Sequence, residues 1–165
     1  MAARLSHVDR KGKARMVDVT AKAATRREAV ARGAVTMSRE AFDLVRRNRA
    51  AKGDVLAVAQ LAGIQAAKRT WELIPLCHPL PLDGVDVTLE LDPSAACVRI
   101  EARARTRAAT GVEMEALTAV AVAGLAVYDM IKAVDRTAVV GDVRLVRKSG
   151  GRSGTYRRRG ESRSS

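Results

Sequence analysis

The chain is poor in aromatic residues, histidine and cysteine. Its 165 residues include one tryptophan, one phenylalanine, two tyrosines, two histidines and two cysteines. With so few rings, the core has to be built from Ala, Val, Leu and Ile, and many alanines allow helices and sheet to approach closely. Cys77 and Cys97 form no CxxC pair, so neither a closed zinc site nor a disulfide scaffold is indicated, and a reducing compartment is expected.

The net charge of +12 is concentrated at the two ends of the chain. Residues 1–20 carry a net charge of +3 and residues 147–165 carry +6, which leaves +3 for the body. This distribution is typical of solvated basic ends, although a basic end also attracts polyanions to a nearby site. The N-terminus lacks an apolar signal segment and no apolar run approaches membrane-spanning length, so we expect a cytoplasmic protein without a membrane partner.

Apolar periodicity predicts an α+β protein with the element order β-α-α-β-β-α-β. Ser38 and Asp54 are predicted to cap the first two helices. This order favours a ferredoxin-like sandwich, with an antiparallel four-stranded sheet packed by helices. The predicted elements are strands 27–37, 85–91, 98–105 and 138–146 and helices 39–48, 54–74 and 112–134.

Helix 112–134 is apolar on nearly all sides, with almost no charge between Ala116 and Val127. A helix of this kind has to be covered on nearly all sides, and one sheet cannot do so. The helix therefore predicts a second subunit. Composition divides the chain into an extended basic lead-in over 1–20, a single α+β domain over 21–147, and a flexible Gly/Ser/Arg-rich tail over 148–165.

A stiff loop holds one of the two histidines. Three prolines in Leu73–Pro81 restrict the backbone around His78, which suits a side chain that meets a ligand. A buried, hydrogen-bonded histidine that ends a helix is the alternative. Glu113 and Glu115 follow at the start of helix 112–134, where the helix dipole alone would favour acidic residues.

The other end of the same helix carries Asp129 and Lys132, three positions apart and so on one face. A surface ion pair is the common explanation, and a partly buried acid and base for proton transfer is the functional one. Glu115 and Asp129 are about 21 Å apart along a helix, so they cannot touch one small ligand within one chain. Together with nearby lysines, they predict a site between subunits for a phosphate-rich small molecule.

Five segments, in unchanged order, resemble the MoaC family of molybdenum cofactor biosynthesis. The likeness extends from about Leu5 to Gly154, and the second and third segments are highly specific. The segments are MVDVTAKA at 16–23, KGDVLAVAQLAGIQAAKRTWELIPLCHPL at 52–80, TGVEMEALTAV at 110–120, YDMIKAV at 128–134 and VRLVRKSGGRSG at 143–154.

The resemblance implies a lyase that rearranges 3′,8-cyclo-7,8-dihydro-GTP to cyclic pyranopterin monophosphate and releases pyrophosphate. It also implies a homohexamer, a trimer of dimers, with sites between subunits. Asp129 and Lys132 match the family's catalytic pair. No tightly bound cofactor and no metal ligands are expected, and magnesium stays open as a companion of the substrate triphosphate. The implied substrate-binding residues are Lys52, Lys68, Leu76, Cys77, His78, Glu113, Met114, Glu115 and Lys148.

The sequence departs from the family pattern at two positions, and two rival functions stay open. Arg152 stands where a lysine is common, and Ile131 replaces a frequent cysteine, which argues against a catalytic thiol there. The main rival is a non-catalytic polyanion- or nucleic-acid-binding oligomer, against which the few aromatics and the weakly charged body count. The second rival is a structural or regulatory oligomer that has lost activity.

Overall fold

One antiparallel sheet with two long helices packed on it forms the frame of the protein, in a computed structural model that describes residues 7–8, 11–48 and 53–161. The strand order is β2-β3-β1-β4-β5, and every neighbouring pair is antiparallel. In chain order the elements are β1 Thr25–Thr36, α1 Arg39–Arg46, α2 Val55–Lys68, α3 Thr70–Leu73, β2 Gly84–Asp92, β3 Cys97–Ala108, α4 Glu113–Ile131, β4 Val139–Ser149 and β5 Tyr156–Arg157.

The predicted α+β class is confirmed, but the predicted number of strands is wrong. Beyond the four expected strands, β5 pairs with the end of β4, with Tyr156 opposite Lys148 and Arg157 opposite Arg147. A strand of two residues has no alternation that a sequence pattern could reveal. The tail predicted to be flexible therefore contains a strand, while the proposed domain boundary before it stays a prediction.

The predicted helix 54–74 is two helices, because the chain breaks at Arg69. Helix α2 ends at Lys68, with Arg69 as its C-cap. The Thr70 hydroxyl donates hydrogen bonds to the carbonyl oxygens of Ala66 at 3.3 Å and Ala67 at 3.0 Å. A side chain that bonds these carbonyls competes with the regular backbone ladder. The short helix α3 then leads into the proline-rich loop that carries His78.

The two predicted N-caps are confirmed. The Ser38 hydroxyl accepts a hydrogen bond from the Ala41 N–H at 3.2 Å, and the Asp54 carboxylate accepts one from the Ala57 N–H at 3.0 Å. Each cap satisfies a backbone donor that has no partner within its helix, which fixes where α1 and α2 begin.

Small residues bring the helices and the sheet into close contact, as the composition predicts. A Cβ added at Gly63 of α2 would stand 2.9 Å from the Ala119 carbonyl oxygen and 3.3 Å from the Ala123 Cβ of α4. The core is correspondingly poor in rings. Of the four aromatic side chains only Phe42 is buried, and Trp71 of α3 is 47% exposed.

Helix α4 is long and apolar enough, by length and composition alone, to cross a membrane. It has 19 residues and a mean hydropathy of 1.6, which exceeds what we expected from the sequence. However, 56% of its apolar window is buried within the chain, against α2, β1, β3 and β4. Packing in the core accounts for its apolar character, as it does for core helices generally.

Candidate active site

The start of α4 places one glutamate inside the protein and one at its surface. Glu115 is only 4% exposed, whereas the Glu113 side chain is 28% exposed. Burial raises the pKa of Glu115 to about 7, and the neighbouring charge of Glu113 adds to the effect. Near neutral pH, Glu115 can therefore both accept and donate a proton, which is what general acid–base chemistry requires.

A cavity of about 860 Å³ opens beside this helix start. Its walls come from three segments that are far apart in sequence: 18–28, 109–113 and 148–153. Lys148 of β4 reaches into it, with its Nζ 3.3 Å from the Glu113 Oε1 and 2.5 Å from the Ser153 hydroxyl. The Arg27 guanidinium donates to the Ala108 and Ala109 carbonyls at 3.3 and 3.2 Å, which fixes the wall between β1 and β3.

The loop from Gly150 to Gly154 (the glycine loop) requires its glycines. Gly150 and Gly151 have φ values of +97° and +72°, in the region that side chains disfavour. A Cβ at Gly150 would also collide with the Arg26 carbonyl, and one at Gly151 with the Arg27 guanidinium. The loop can pass so close to β1 only without side chains, and it thereby closes one side of the cavity.

The proline-rich loop lies against the same end of α4. Leu76, Cys77 and His78 are all half-buried. Burial raises the pKa of the Cys77 thiol, and the charge of Glu115 adds to this, which places the thiol near that carboxyl. Asp18 lines the cavity. Its pKa is lowered by hydrogen bonds from Thr20 and then by the charges of Arg15 and His78.

Of the other predicted substrate-binding residues, Met114 and Lys68 do not line the cavity. Met114 is half-buried in the first turn of α4, between the two glutamates. Lys68 is exposed in the last turn of α2, the helix that packs on α4. Lys52 lies outside the described residues.

Asp129 and Lys132 stand at the opposite end of α4. Their side chains are 55% and 51% exposed, and the Lys132 Nζ lies 2.6 Å from the Asp129 Oδ1. The hydrogen bond from Lys132 to Asp129 and the charge of that carboxylate raise the pKa of Lys132. Because α4 is one continuous helix, a single chain does not bring this pair to the cavity.

Four charged residues that line the cavity were not predicted from the sequence: Asp18, Lys22, Arg27 and Glu28. Asp18 and Lys22 lie in the segment MVDVTAKA, whose resemblance to the family was noted without a role for any of its residues. Charged side chains within a family-like motif were the signal available. Arg27 and Glu28 gave no such signal: Arg27 falls on the same side of the alternating strand as Ala29 and Ala31, and Glu28 falls on the opposite side.

Side chains that could ligate a metal ion are scattered in the described part of the chain. Among these residues, no group of three or more His, Cys, Asp and Glu side chains could hold an ion. The groups beside the cavity are instead lysines, arginines and a few isolated carboxylates, which suit an anionic organic ligand.

Glu115 is expected to make the protein less stable as the pH rises from about 4.5 to about 7. Over this interval its carboxyl is protonated in the folded protein and ionised in the unfolded chain. The folded state then binds more protons, so the free energy of unfolding falls with pH, by on the order of 3 kcal/mol in total. Urea unfolding at several pH values and fixed protein concentration measures this slope.

The variant Glu115→Gln should lose that pH dependence, and Glu113→Gln, at the more exposed neighbour, should keep most of it. Carboxyls whose pKa is lowered, such as Asp92 and Asp135, titrate below this interval and do not obscure the comparison. Parallel stability curves for wild type and Glu115→Gln would show that Glu115 is ionised in the folded protein.

Comparison with known proteins finds relatives over nearly the whole chain. The MoaC family model matches residues 16–151. The chain is 61% identical over 157 residues to the cyclic pyranopterin monophosphate synthase of Pelotomaculum thermopropionicum, covering 95% of this chain and 92% of that protein. Two further proteins of the same name are equally similar. The protein of Thermomicrobium roseum is 62% identical over 156 residues, covering 94% of each chain. The protein of Heliobacterium modesticaldum is 63% identical over 152 residues, covering 92% of this chain and 96% of that protein. This chain belongs to the MoaC family.

Proposed function

We propose that this protein is a cyclic pyranopterin monophosphate synthase, a lyase that converts 3′,8-cyclo-7,8-dihydro-GTP to cyclic pyranopterin monophosphate and releases pyrophosphate. The identity of more than 60% to synthases of that name supports the reaction. The observation that carries the proposal is the cavity at the start of α4, where Glu113 meets a basic wall and the buried Glu115 follows two residues further along the helix. A cytoplasmic location is part of the proposal and rests on the family resemblance.

The basic side of the cavity suits the phosphates of such a substrate. Lys22, Arg27, Lys148 and Arg152 line it together with the glycine loop. Lysine and arginine side chains stabilise the negative charge that develops when a cyclic phosphate closes and pyrophosphate leaves. Backbone N–H groups of a glycine-rich segment with positive φ values add further donors to the same oxygens.

The groups near the start of α4, together with the pair at its other end, suit the ring chemistry. Opening one ring and building another moves several protons, so groups that exchange protons near pH 7 are needed. Glu115 has such a pKa, and Cys77 and His78 lie on the loop beside it. Asp129 and Lys132 supply a second acid and base at 2.6 Å separation, and we assign them the catalytic role.

Both ends of α4 can serve one substrate only if they come from different subunits. We therefore propose that the site lies between subunits of a homohexamer, a trimer of dimers. Exposed apolar side chains on α2 and α4, namely Val58, Leu61 and Leu125, provide surface that association would bury. The order β1-α-β2-β3-α-β4, with sheet order β2-β3-β1-β4, supports a ferredoxin-like description of the subunit.

No tightly bound cofactor is part of the proposal. Magnesium would enter with the substrate triphosphate, which provides the oxygen ligands that this ion prefers. A requirement for the ion would appear as activity lost on chelation and restored by added magnesium, with no metal retained by the purified protein.

Pyrophosphate release from enzymatically prepared 3′,8-cyclo-7,8-dihydro-GTP tests the function. We expect release from the cyclic compound and none from GTP, with cyclic pyranopterin monophosphate identified by mass spectrometry. Assembled protein that releases no pyrophosphate, but binds GTP, RNA and polyphosphate alike in a salt-sensitive way, would favour the polyanion-binding rival. Assembled protein that does neither would favour an inactive oligomer.

A further inference from the structure

The outer face of the sheet, away from α2 and α4, carries a four-residue charge cluster. Arg32 of β1 donates to Glu101 of β3 at 2.7 Å and to Glu161 at 2.9 Å, and Arg144 of β4 donates to Glu161 at 2.5 Å. The Glu161 side chain is only 13% exposed. Hydrogen bonds from Arg144 and Arg32 lower the pKa of Glu161, so its carboxylate stays ionised.

Glu161 ends a segment that runs back along the sheet, residues 155–161 (the strap). The strap is held to β4 by the two residue pairs of β5 and by a hydrogen bond from the Arg158 N–H to the Val146 carbonyl at 2.8 Å. Tyr156 and Arg157 are themselves exposed. So short an exposed strand is marginal on its own, and Glu161 adds two charge-assisted hydrogen bonds between the strap and the sheet.

The strap and the cavity are connected through the glycine loop. The loop joins the end of β4 to the strap, and its Ser153 hydroxyl contacts the Nζ of Lys148 at 2.5 Å. Lys148 in turn lies 3.3 Å from Glu113 at the start of α4. An anchor at the far end of the strap therefore limits how far the glycine loop, with Ser153 and Arg152, can move from the cavity wall.

We infer that Glu161 is a positioning residue: by fixing the strap to Arg32 and Arg144, it holds the glycine loop and Lys148 in the geometry that binds the phosphates of the substrate. This rests on the proposed function and goes beyond it, because Glu161 lies after the last residue matched by the family model, Gly151. Glu161 does not line the cavity beside α4, so it acts on the substrate only through the loop.

Glu161→Gln tests the inference, because it keeps the size of the side chain and removes its charge. Glu90→Gln is the matched control, since Glu90 is an exposed residue of the same sheet face outside the strap. Two readouts are compared: the rate at which trypsin cuts at Arg157–Arg159, followed by mass spectrometry, and the kinetic constants with the cyclic GTP-derived substrate.

We expect Glu161→Gln to speed cleavage at the Arg157–Arg159 run and to raise KM about fivefold, with kcat within about twofold of wild type. Glu161→Asp, which retains the charge, should recover most of the affinity, and Glu90→Gln should match wild type in both readouts. An unchanged cleavage rate would overturn the anchoring role. Faster cleavage with an unchanged KM would overturn the positioning role.

The experiment still tests the role of Glu161 if the protein does not catalyse the proposed reaction. Should wild type show no turnover, the dissociation constant of GTP, measured by calorimetry, replaces KM. A weaker affinity in Glu161→Gln, together with faster cleavage, would support the strap in that case too. Equal GTP affinities in wild type and variant would overturn it, independently of the reaction.

Discussion

Asp129→Asn is expected to lower kcat by about two to four orders of magnitude, the usual range for removal of a group that transfers a proton. The substitution keeps the shape of the side chain and removes its basicity. Because the Asp129 side chain is 55% exposed, it should have little effect on stability. Turnover is measured by pyrophosphate release, and assembly by size-exclusion chromatography with light scattering.

The matched control is Asp43→Asn on α1. Asp43 pairs with Arg46 at 3.0 Å, three positions away, and both side chains are partly exposed. The two variants therefore remove the same kind of ion pair, one in the proposed site and one outside it. Wild-type turnover in properly assembled Asp129→Asn would remove Asp129 from the catalytic role and leave Lys132 without its partner in the mechanism.

Mixing two inactive variants should restore activity, and this follows from the geometry of α4. Lys148→Ala damages the cavity at one end of the helix, and Asp129→Asn damages the other end, about 27 Å away. If one site combines the two ends from different subunits, each mixed dimer holds one site with both defects and one intact site. With random exchange of subunits, about a quarter of wild-type activity should return.

The converse mixture provides the control. A chain carrying both substitutions, mixed with an equal amount of wild type, places one damaged end in every site of a mixed dimer. Activity should then fall to about half of that of the same mixture before exchange. Native mass spectrometry verifies that the hybrids form. Hybrids without restored activity would mean that each chain serves its substrate through one end of α4 alone.

Local signals in the sequence predict most of the helices and strands, because each signal depends only on residues close to it in the chain. Ser38 and Asp54 cap their helices through residues three positions away, and the alternating strands have one apolar face whatever their partners. The break at Arg69 escapes prediction because no proline or glycine marks it, and the Thr70 hydroxyl bonds to carbonyls of the preceding turn are not visible in the sequence. Strand β5 escapes because it exists only by pairing with β4.

The site is less predictable than the fold, since its cavity joins three distant segments. Glu113 and Glu115 were identifiable from their position at a helix start, and Lys148 from its place beside a glycine-rich segment. The position of Lys22 depends on the path of the chain just before β1, and that segment has no periodicity to indicate its path. The opposed ends of α4 were predicted from helix rise alone.

The exposed position of Trp71 has a spectroscopic consequence. As the single tryptophan of the chain, it accounts for nearly all of the intrinsic indole fluorescence. It lies on α3, directly before the loop with Cys77 and His78, and outside the buried core. Its emission is therefore a built-in reporter of ligand binding or subunit contact at that loop, whereas backbone circular dichroism is the suitable signal for unfolding of the aliphatic core.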